Sequence, residues 1–474
     1  MNFRLFSCVL AFGVSLAAAA DRPEKPNIIF ILADDLGYGD LSCYGSKLIQ
    51  TPVIDQMATE GMRFTQFYAG STVCAPSRCV LMTGKHTGHA RVRGNAGREN
   101  PAAQMLKSED ITVAEVLKGA GYQTALVGKW GLGMPGDEGI PNRQGFDYFY
   151  GYLSQHHAHN HYPDFLWKNT SQDQLPNEVK AIGEFGGGYA TKRVVYAGDR
   201  LTEEALDFVN RSKDAPFFLY LAYVVPHANN ERTRELGDGQ EVPEYGIYES
   251  KDWPNPDKGQ AAMVTRMDSQ IGELFAQLKS LGLDDKTVVF FSSDNGPHKE
   301  GGNDPEFFDA NGPYTGIKRS LTDGGIRVPF IARWPGVIPA GEVSTQVGYF
   351  GDIMATLADL AGTPPPAGLD SLSLLPTLTG HPDQQEQRDY LYWEFFEKNP
   401  LQAVLMDGRW KAIRDVRSDT VALYDQTQDV AEEHDVAAEH PDLVTQARQK
   451  MKEANVPDPL WDINKPAANR AKKK

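Results

Sequence analysis

Residues 27–39 read NIIFILADDLGYG, an isoleucine-rich apolar run that stops abruptly at Asp34 and Asp35. The run from 27 to 33 has the length of a strand and no alternation of polar and apolar side chains. That pattern is typical of a strand buried on both faces of a parallel sheet. The segment therefore predicts a central strand that delivers two carboxylates at its carboxyl end.

Three further apolar runs of strand length also end in polar side chains. The run 123–127 is followed by Lys129, the run 217–225 by His227, and the run 287–291 by Asp294 and Asn295. Helical patterns alternate with these runs, at 51–61, 112–119, 199–210 and 261–281. The alternation predicts an α/β architecture whose ligands bind outside the carboxyl ends of the strands.

The 474-residue chain divides into three segments by composition. Residues 1–20 combine one early arginine, an apolar stretch and a closing run of alanines, which is typical of a secretory signal peptide. Residues 21–380 form the predicted catalytic domain. From 381 to 474 the pattern changes to short strands and one helix at 441–454, which predicts a smaller α+β domain with an antiparallel sheet and a basic tail.

Charge and cysteine content exclude several classes of protein. The formal net charge is −16, and it becomes −17 when Arg4 leaves with the signal segment, so a nucleic-acid or anionic-membrane partner is disfavoured. No other apolar run is long enough to span a membrane. Three cysteines follow the signal, Cys43, Cys74 and Cys79, so at most one disulfide can form. We expect an exported protein, periplasmic or secreted, of bacterial type.

Asp34, Asp35, Asp294 and Asn295 form a set of oxygen ligands at the ends of two predicted neighbouring strands. Such a set suits a hard cation, calcium or magnesium, and suits zinc poorly. A single Asp-Asn-Gly sequence is as well explained by a turn or a helix cap. Several acids at one sheet edge repel each other, however, and a cation is the simplest way to hold them together.

Residues 74–78 read Cys-Ala-Pro-Ser-Arg, and 81–85 read Leu-Met-Thr-Gly-Lys. This pair of motifs resembles the signature of the formylglycine-dependent sulfatases of the alkaline phosphatase superfamily. Further matching segments are 34–35, 128–130, 226–227, 294–296, 316–318, 324–329 and 423–425. The resemblance implies an alkaline-phosphatase-like mixed sheet flanked by helices. It also implies that a formylglycine-generating enzyme oxidises Cys74 to formylglycine.

The resemblance assigns roles to individual residues. The cation would be Ca²⁺, with Mg²⁺ as the alternative, bound by Asp34, Asp35, Asp294, Asn295 and position 74. Arg78 and Lys129 would hold the hydroxyls of hydrated formylglycine, Lys318 would face the sulfate, and His227 would be the general acid for the leaving oxygen. By the same resemblance, one hydroxyl of the hydrate would attack sulfur and the other would later expel sulfate, for which a thiol has no second hydroxyl.

One position departs from the family pattern. Many members have a histidine where this chain has Gly131, in the sequence Gly-Lys-Trp-Gly-Leu-Gly. Residues 156–161 (HHAHNH) are the densest histidine cluster, and we expect His159 and His157 to compensate. A polar loop and a separate zinc site are the alternatives. Further polar residues that could contact the substrate are Arg91, Arg93, His298 and Asp323.

The expected activity is sulfuric ester hydrolysis, with a sulfated carbohydrate or an aryl sulfate as substrate. A phosphonate or phosphate ester hydrolase of the same superfamily is one alternative. A glycan-binding pseudoenzyme, suggested by Gly131, is the other, and it predicts an unmodified cysteine at position 74. The negative net charge favours short or terminal substrates over a long polyanion.

Overall fold

The computed structural model describes residues 25–96, 100–397 and 399–464. The predicted signal segment and the basic tail at 467–474 lie outside the described residues. The strands are β1 Asn27–Asp34, β2 Met62–Phe64, β3 Phe67–Tyr68, β4 Gln123–Lys129, β5 Tyr148–Tyr152, β6 Phe165–Lys168, β7 Ser171–Gln174, β8 Glu178–Ala181, β9 Gly188–Lys192, β10 Phe217–Pro226, β11 Thr287–Ser293, β12 Phe330–Arg333, β13 Glu342–Ser344, β14 Gly348–Tyr349, β15 Tyr390–Phe395, β16 Leu401–Met406, β17 Trp410–Asp415 and β18 Thr420–Asp425. The α-helices are α1 Pro52–Glu60, α2 Cys74–Thr83, α3 Val113–Gly119, α4 Gln155–Ala158, α5 Ala197–Ser212, α6 Asn230–Leu236, α7 Asn255–Ser280, α8 Pro305–Phe308, α9 Asp323–Ile326, α10 Asp352–Leu360, α11 Leu375–Leu378 and α12 Pro441–Ala454.

A ten-stranded sheet in the order β13-β2-β12-β11-β1-β10-β4-β5-β6-β7 forms the centre of the fold. Strand β1 lies between β11 and β10 and is parallel to both, and β4 and β5 continue the parallel part. Antiparallel strands extend the sheet at both sides, from β12 on one side and from β6 on the other. The mixed sheet flanked by helices is therefore confirmed. The four strands β11, β1, β10 and β4 point their carboxyl ends to one edge.

Both faces of the sheet are covered, and β1 shows why its sequence is apolar throughout. Ile28, Phe30 and Leu32 pack into the layer that contains α2, α3 and α10. The intervening residues Ile29 and Ile31 pack into the opposite layer, which contains α1, α5 and α7. Because successive side chains of a strand point to opposite faces, only a continuous apolar run can satisfy two cores.

The predicted helices are present, with shifted ends. Helix α7 begins at Asn255 instead of 261, because Pro256 in the first turn and the polar residues after it start the helix before the apolar periodicity begins. Residues 181–188, predicted to be irregular, include the tip of a hairpin formed by β8 and β9. Strands β5 to β7 were not predicted.

The carboxyl-terminal domain is the expected antiparallel sheet with one helix, in the order β15-β16-β17-β18. Along β15, Leu391 and Trp393 pack into the main core, whereas Tyr392 packs against the cluster that contains Met451 of α12. The sheet thus lies between the large domain and its own helix. The boundary near residue 380 stays a prediction. In the described part of the chain, no helix is both long enough and apolar enough to cross a membrane.

A buried ion cluster joins the two domains. The Nζ atom of Lys411, on β17, lies 2.5 Å from Asp323 of the large domain and 3.0 Å from Glu432. Arg327 also pairs with Asp323, at 3.0 Å. The side chains of Lys411 and Asp323 are fully buried, so neither charge can be compensated by water if its partner is removed.

We predict that Lys411→Met lowers the free energy of unfolding by about 3–5 kcal/mol, because it leaves the buried Glu432 carboxyl without a cation and Asp323 with Arg327 alone. The measurement is denaturant unfolding followed by circular dichroism. Lys192→Met is the control, since Lys192 pairs with Glu178 at the surface, where both side chains are more than half exposed. We expect that control to change the free energy by at most about 1 kcal/mol. Equal losses in the two variants would contradict the prediction.

Candidate active site

The polar residues predicted at the strand ends meet at one sheet edge. Asp34 is the last residue of β1, and Asp35 follows it with a φ of 65°, a left-handed conformation that Asp tolerates better than most residues. Asp294 and Asn295 follow β11, His227 follows β10, and Lys129 ends β4. The topology therefore brings together carboxylates, an amide, an imidazole and an ammonium that lie up to 261 positions apart, from Asp34 to Asn295.

The acidic residues form a compact, completely buried group. The backbone N–H of Asp35 donates to Asp294 Oδ1 (3.1 Å), and Asn295 Nδ2 donates to Asp35 Oδ1 (2.8 Å). Possible ligand atoms of Asp34, Cys74 and Asp294 lie within 4.8 Å of one another. Asp34 Oδ1 and Asn295 Oδ1 are buried and have no hydrogen-bond partner among the described residues. Two unpartnered oxygens in a carboxylate-rich group fit a hard cation such as calcium.

The electrostatics of this group point in the same direction. Burial and then the neighbouring Asp34 carboxylate raise the pKa of Asp294 to about 7, although the Arg78 guanidinium opposes the shift. Burial is the larger cause of this raised pKa, and the smaller one, the Asp34 carboxylate, reflects negative charge close to Asp294. Additional positive charge beside Asp294 would restore its ionised form.

Three buried cations surround the acidic group. Lys129 Nζ lies 2.5 Å from Asp34 Oδ2, and Lys318 Nζ lies 2.7 Å from Asp35 Oδ2. Arg78 donates from Nε and Nη2 to Asp294 Oδ2, at 3.0 and 2.8 Å. Although burial opposes ionisation, the Lys129 ammonium holds the pKa of Asp34 well below its usual range.

Cys74 is the first residue of helix α2 and is buried beside this group. Its Sγ donates to Gln155 Oε1 at 2.7 Å. Burial raises the pKa of the Cys74 thiol, so an unmodified cysteine here is a protonated thiol and a poor nucleophile. Cys43, Cys74 and Cys79 are all free, and no disulfide joins them.

A cavity of about 330 Å³ opens over Cys74. Its wall includes, besides Cys74, the predicted site residues His159, His227 and Lys318. The side chains at its wall that the sequence did not predict include Asn95, Gln104, Gln155, Phe185, Arg234 and Arg319. The charged side chains of the wall are three cations and one carboxylate, Glu397, an excess of positive charge that suits an anionic ligand.

His227 and His159 stack in this wall. Their ring centroids are 4.9 Å apart and the rings are nearly parallel, at 10°. His227 Nδ1 lies 2.8 Å from the Ala228 carbonyl oxygen, so the proton is held on Nδ1 and Nε2 faces Lys318 Nζ at 3.3 Å. Burial and then the Lys318 ammonium lower the pKa of His227 to about 3. His159 Nδ1 lies 2.8 Å from Glu231 Oε2.

Several predicted contacts are not brought to the cavity. His157 is fully buried against Tyr152 and Phe165, and burial lowers the pKa of its ring to about 3. It is a core residue, because it faces the opposite side of the short helix from His159. Among the described residues, none of the possible metal-binding groups includes a histidine of 156–161, so a separate zinc site there finds no support.

His298 and Asp323 also lie outside the cavity wall. Both ring nitrogens of His298 are engaged, Nε2 with the Pro226 carbonyl oxygen (3.1 Å) and Nδ1 with the backbone N–H of Glu300 (3.0 Å). Asp323 lies in the interdomain ion cluster with Lys411.

Arg91 and Arg93 lie outside the cavity wall as well. Arg91 pairs with Glu109 and Asp110. Arg93 donates to the carbonyl oxygens of Ala90 and Val456, at 2.9 and 2.7 Å. Both guanidinium groups are therefore engaged away from Cys74.

Glu300 is a site residue that sequence reasoning missed. Its Oε2 lies 3.3 Å from Lys318 Nζ and its Oε1 lies 2.7 Å from Arg319 Nη1. Glu300 stands five residues after Asn295, in a loop without apolar periodicity, so no pattern identified it.

Comparison with known proteins agrees with this geometry. Residues 26–363 match the family described as Sulfatase, and residues 315–456 match the family described as N-sulphoglucosamine sulphohydrolase, C-terminal. The chain belongs to the sulfatase family. The match to the first family includes every predicted metal-binding and catalytic position from Asp34 to Lys318.

Curated sulfatases and solved structures resemble this sulfatase over most of its length. N-acetylgalactosamine-6-sulfatase of Mus musculus is 33% identical over 415 residues, which cover 83% of this chain and 73% of the mouse protein. N-acetylgalactosamine-6-O-sulfatase of Bacteroides thetaiotaomicron is 30% identical, with 90% and 93% covered. The crystal structure of Ps i-CgsB in complex with k-i-k-neocarrahexaose is 27% identical with a TM-score of 0.76, covering 95% of this chain and 100% of that one.

Proposed function

We propose that the protein is a formylglycine-dependent sulfatase that releases inorganic sulfate from a sulfated carbohydrate. The observation that carries the proposal is the position of Cys74, which lies between a buried carboxylate group with unpartnered oxygens and an open cavity walled by cations and histidines. A sulfate ester needs positive charge around its oxygens, a nucleophile in line with the departing oxygen, and a proton for the leaving alcohol.

The cation and the modified residue have a consistent place in this arrangement. Asp34, Asp35, Asp294, Asn295 and position 74 would hold Ca²⁺, with Mg²⁺ as the alternative, and the ion would supply Lewis acidity toward sulfate oxygens. Oxidation of Cys74 by a formylglycine-generating enzyme would supply a geminal diol as the nucleophile.

The chain's own side chains perform the remaining steps. Arg78 and Lys129 fix the acidic group and hold position 74. Lys318 faces the cavity and binds a sulfate oxygen. In its protonated form His227 donates a proton to the leaving oxygen through Nε2, because its Nδ1 is engaged with the Ala228 carbonyl oxygen. The negative charge of a bound sulfate ester favours the protonated imidazole.

The rim of the cavity favours a carbohydrate. Phe185 is 41% exposed and contributes to the wall, at the tip of the β8–β9 hairpin. An aromatic face next to polar side chains is suited to stacking against a sugar ring, and the named relatives act on or bind saccharides. The predicted signal segment supports export to the periplasm or the medium.

The test of the function combines mass spectrometry with sulfate release. The protein is produced together with a formylglycine-generating enzyme, and the mass of the tryptic peptide containing position 74 shows whether the cysteine is modified. We expect modification, and sulfate release from sulfated saccharides in the presence of Ca²⁺ that a chelator abolishes and Ca²⁺ restores. Faster turnover of an aryl phosphate than of an aryl sulfate would favour the phosphate ester alternative. Saccharide binding with an unmodified cysteine and no release would indicate a pseudoenzyme.

His159→Ala should lower turnover by roughly 10²-fold or more, the usual size for a group that assists proton transfer, while leaving thermal unfolding almost unchanged. The reason is that His159 stacks on His227 and connects it to Glu231. The matched variant is His157→Ala, two residues earlier, which we expect to lower stability by creating a core cavity and to leave turnover of the folded fraction near that of wild type. The reverse pattern would refute both assignments.

Phe185→Ala should raise KM for a sulfated oligosaccharide several-fold, because stacking of this kind contributes about 0.5–1.5 kcal/mol. The same change should leave kcat/KM for a small aryl sulfate within about twofold of wild type, since only the larger substrate can reach the rim. Phe307→Ala is the control, because Phe307 is similarly exposed, at 39%, and does not line the cavity. Equal effects on the two substrates would exclude a saccharide-binding role for Phe185.

A further inference from the structure

At Gly131, where many sulfatases have a histidine, a side chain would press against Gln155. The φ of Gly131 is 80°, and a Cβ atom at this position would lie 3.0 Å from Nε2 of Gln155 and 3.3 Å from its Cδ. A side chain in this left-handed conformation is strained whatever its surroundings. The space beside Gly131 is occupied by the carboxamide of Gln155.

Gln155 is held in that space by backbone contacts. The N–H groups of Trp130 and Gly131 donate to the carbonyl oxygens of Tyr152 and Leu153, at 2.9 and 3.1 Å, so the segment preceding Gln155 runs beside Gly131. Gln155 then opens helix α4, which is capped by the Ser154 hydroxyl. Its side chain lies on the same helix face as that of His159, four residues on, and both line the cavity.

The two ends of the Gln155 carboxamide face different groups. Oε1 accepts a hydrogen bond from Cys74 Sγ at 2.7 Å. Nε2 is buried, and no residue of the described chain accepts a hydrogen bond from it. A buried amide donor without an acceptor costs stability, and an anionic oxygen in the adjoining cavity would satisfy it.

We propose that Gln155 is a hydrogen-bonding residue of the reaction centre, and this inference rests on the function proposed above. Its Oε1 accepts a hydrogen bond from the group at position 74 and so orients that group. Its Nε2–H donates a hydrogen bond to an oxygen of the sulfate group. A carboxamide does not take up a proton near neutral pH, so Gln155 holds the nucleophile in place and does not deprotonate it.

The test measures the affinity for inorganic sulfate by isothermal titration calorimetry with Ca²⁺ present. Gln155→Met keeps the approximate shape of the side chain and removes both hydrogen-bonding ends. We expect the Kd for sulfate to rise roughly tenfold or more, the size of a lost hydrogen bond to a charged group, and kcat/KM to fall in parallel. Gln155→Glu keeps an acceptor for position 74 but has no N–H donor, and should lose at least as much sulfate affinity.

The matched control is Gln104→Met. Gln104 lines the same cavity, but its Nε2 already donates to the Gly131 carbonyl oxygen (3.0 Å) and it does not contact Cys74. We expect its sulfate Kd to stay within about twofold of wild type, as expected where no hydrogen bond to the ligand is lost. A thermal unfolding curve accompanies each variant, because a purely structural role would shift unfolding and leave sulfate affinity unchanged.

An unchanged sulfate Kd in Gln155→Met or Gln155→Glu would overturn the inference, as would an equal loss in Gln104→Met. Sulfate affinity can be measured whatever the state of position 74. Failure of the proposed function would appear differently, as an unmodified cysteine and no sulfate release by the wild-type protein. The two failures are therefore distinguishable.

Discussion

The structure depends on the concentration of buried charge at the carboxyl ends of four adjacent parallel strands, β11, β1, β10 and β4. Asp34, Asp35 and Asp294 are fully buried, and each has one buried cation as its nearest opposite charge. Burying such ion pairs costs desolvation energy that their attraction barely offsets, so these pairs contribute little to the free energy of unfolding. It keeps positive and negative charge fixed at positions where water would otherwise solvate them, which is the condition for stabilising a charged transition state.

Arg78 shows how this charge group positions the nucleophile residue. The guanidinium binds Asp294 with two hydrogen bonds and also donates from Nη1 to the Lys129 carbonyl oxygen at 2.8 Å. Arg78 lies one helical turn after Cys74, so the same contacts attach the first turn of α2 to β11 and β4. The geometry at position 74 is thus set by the sheet. A lysine could not make this planar, three-bond contact.

The sequence was sufficient for the elements with strong periodicity. The four apolar runs predicted the strands, and the residues directly after them predicted where Asp34, His227 and Asp294 meet, because parallel strands end at one edge. The antiparallel terminal sheet followed from its short, closely spaced strands. Residues without such a pattern were missed, and Glu300 and Phe185, both in loops, are examples. Asp323 was expected among the polar residues that could contact the substrate, but its charge is used in the contact between domains.

The region 153–161 shows why local reasoning from composition fails and where it could have succeeded. Its histidines drew attention because of their density, yet density does not tell which side of a helix each residue occupies. A helical spacing of 100° per residue places His157 on the opposite side of the helix from His159, and it places Gln155 on the same side as His159.

Gly131, which has no side chain, and Gln155 are 24 positions apart in sequence and adjacent in space. Each residue alone is uninformative, and only their contact shows that the Gln155 side chain lies against the place where a side chain at position 131 would begin. The substitution exchanges a group that can accept a proton for one that can only form hydrogen bonds. The proposed function therefore assigns proton transfer to imidazoles of the cavity wall, of which His227 and His159 stack on each other.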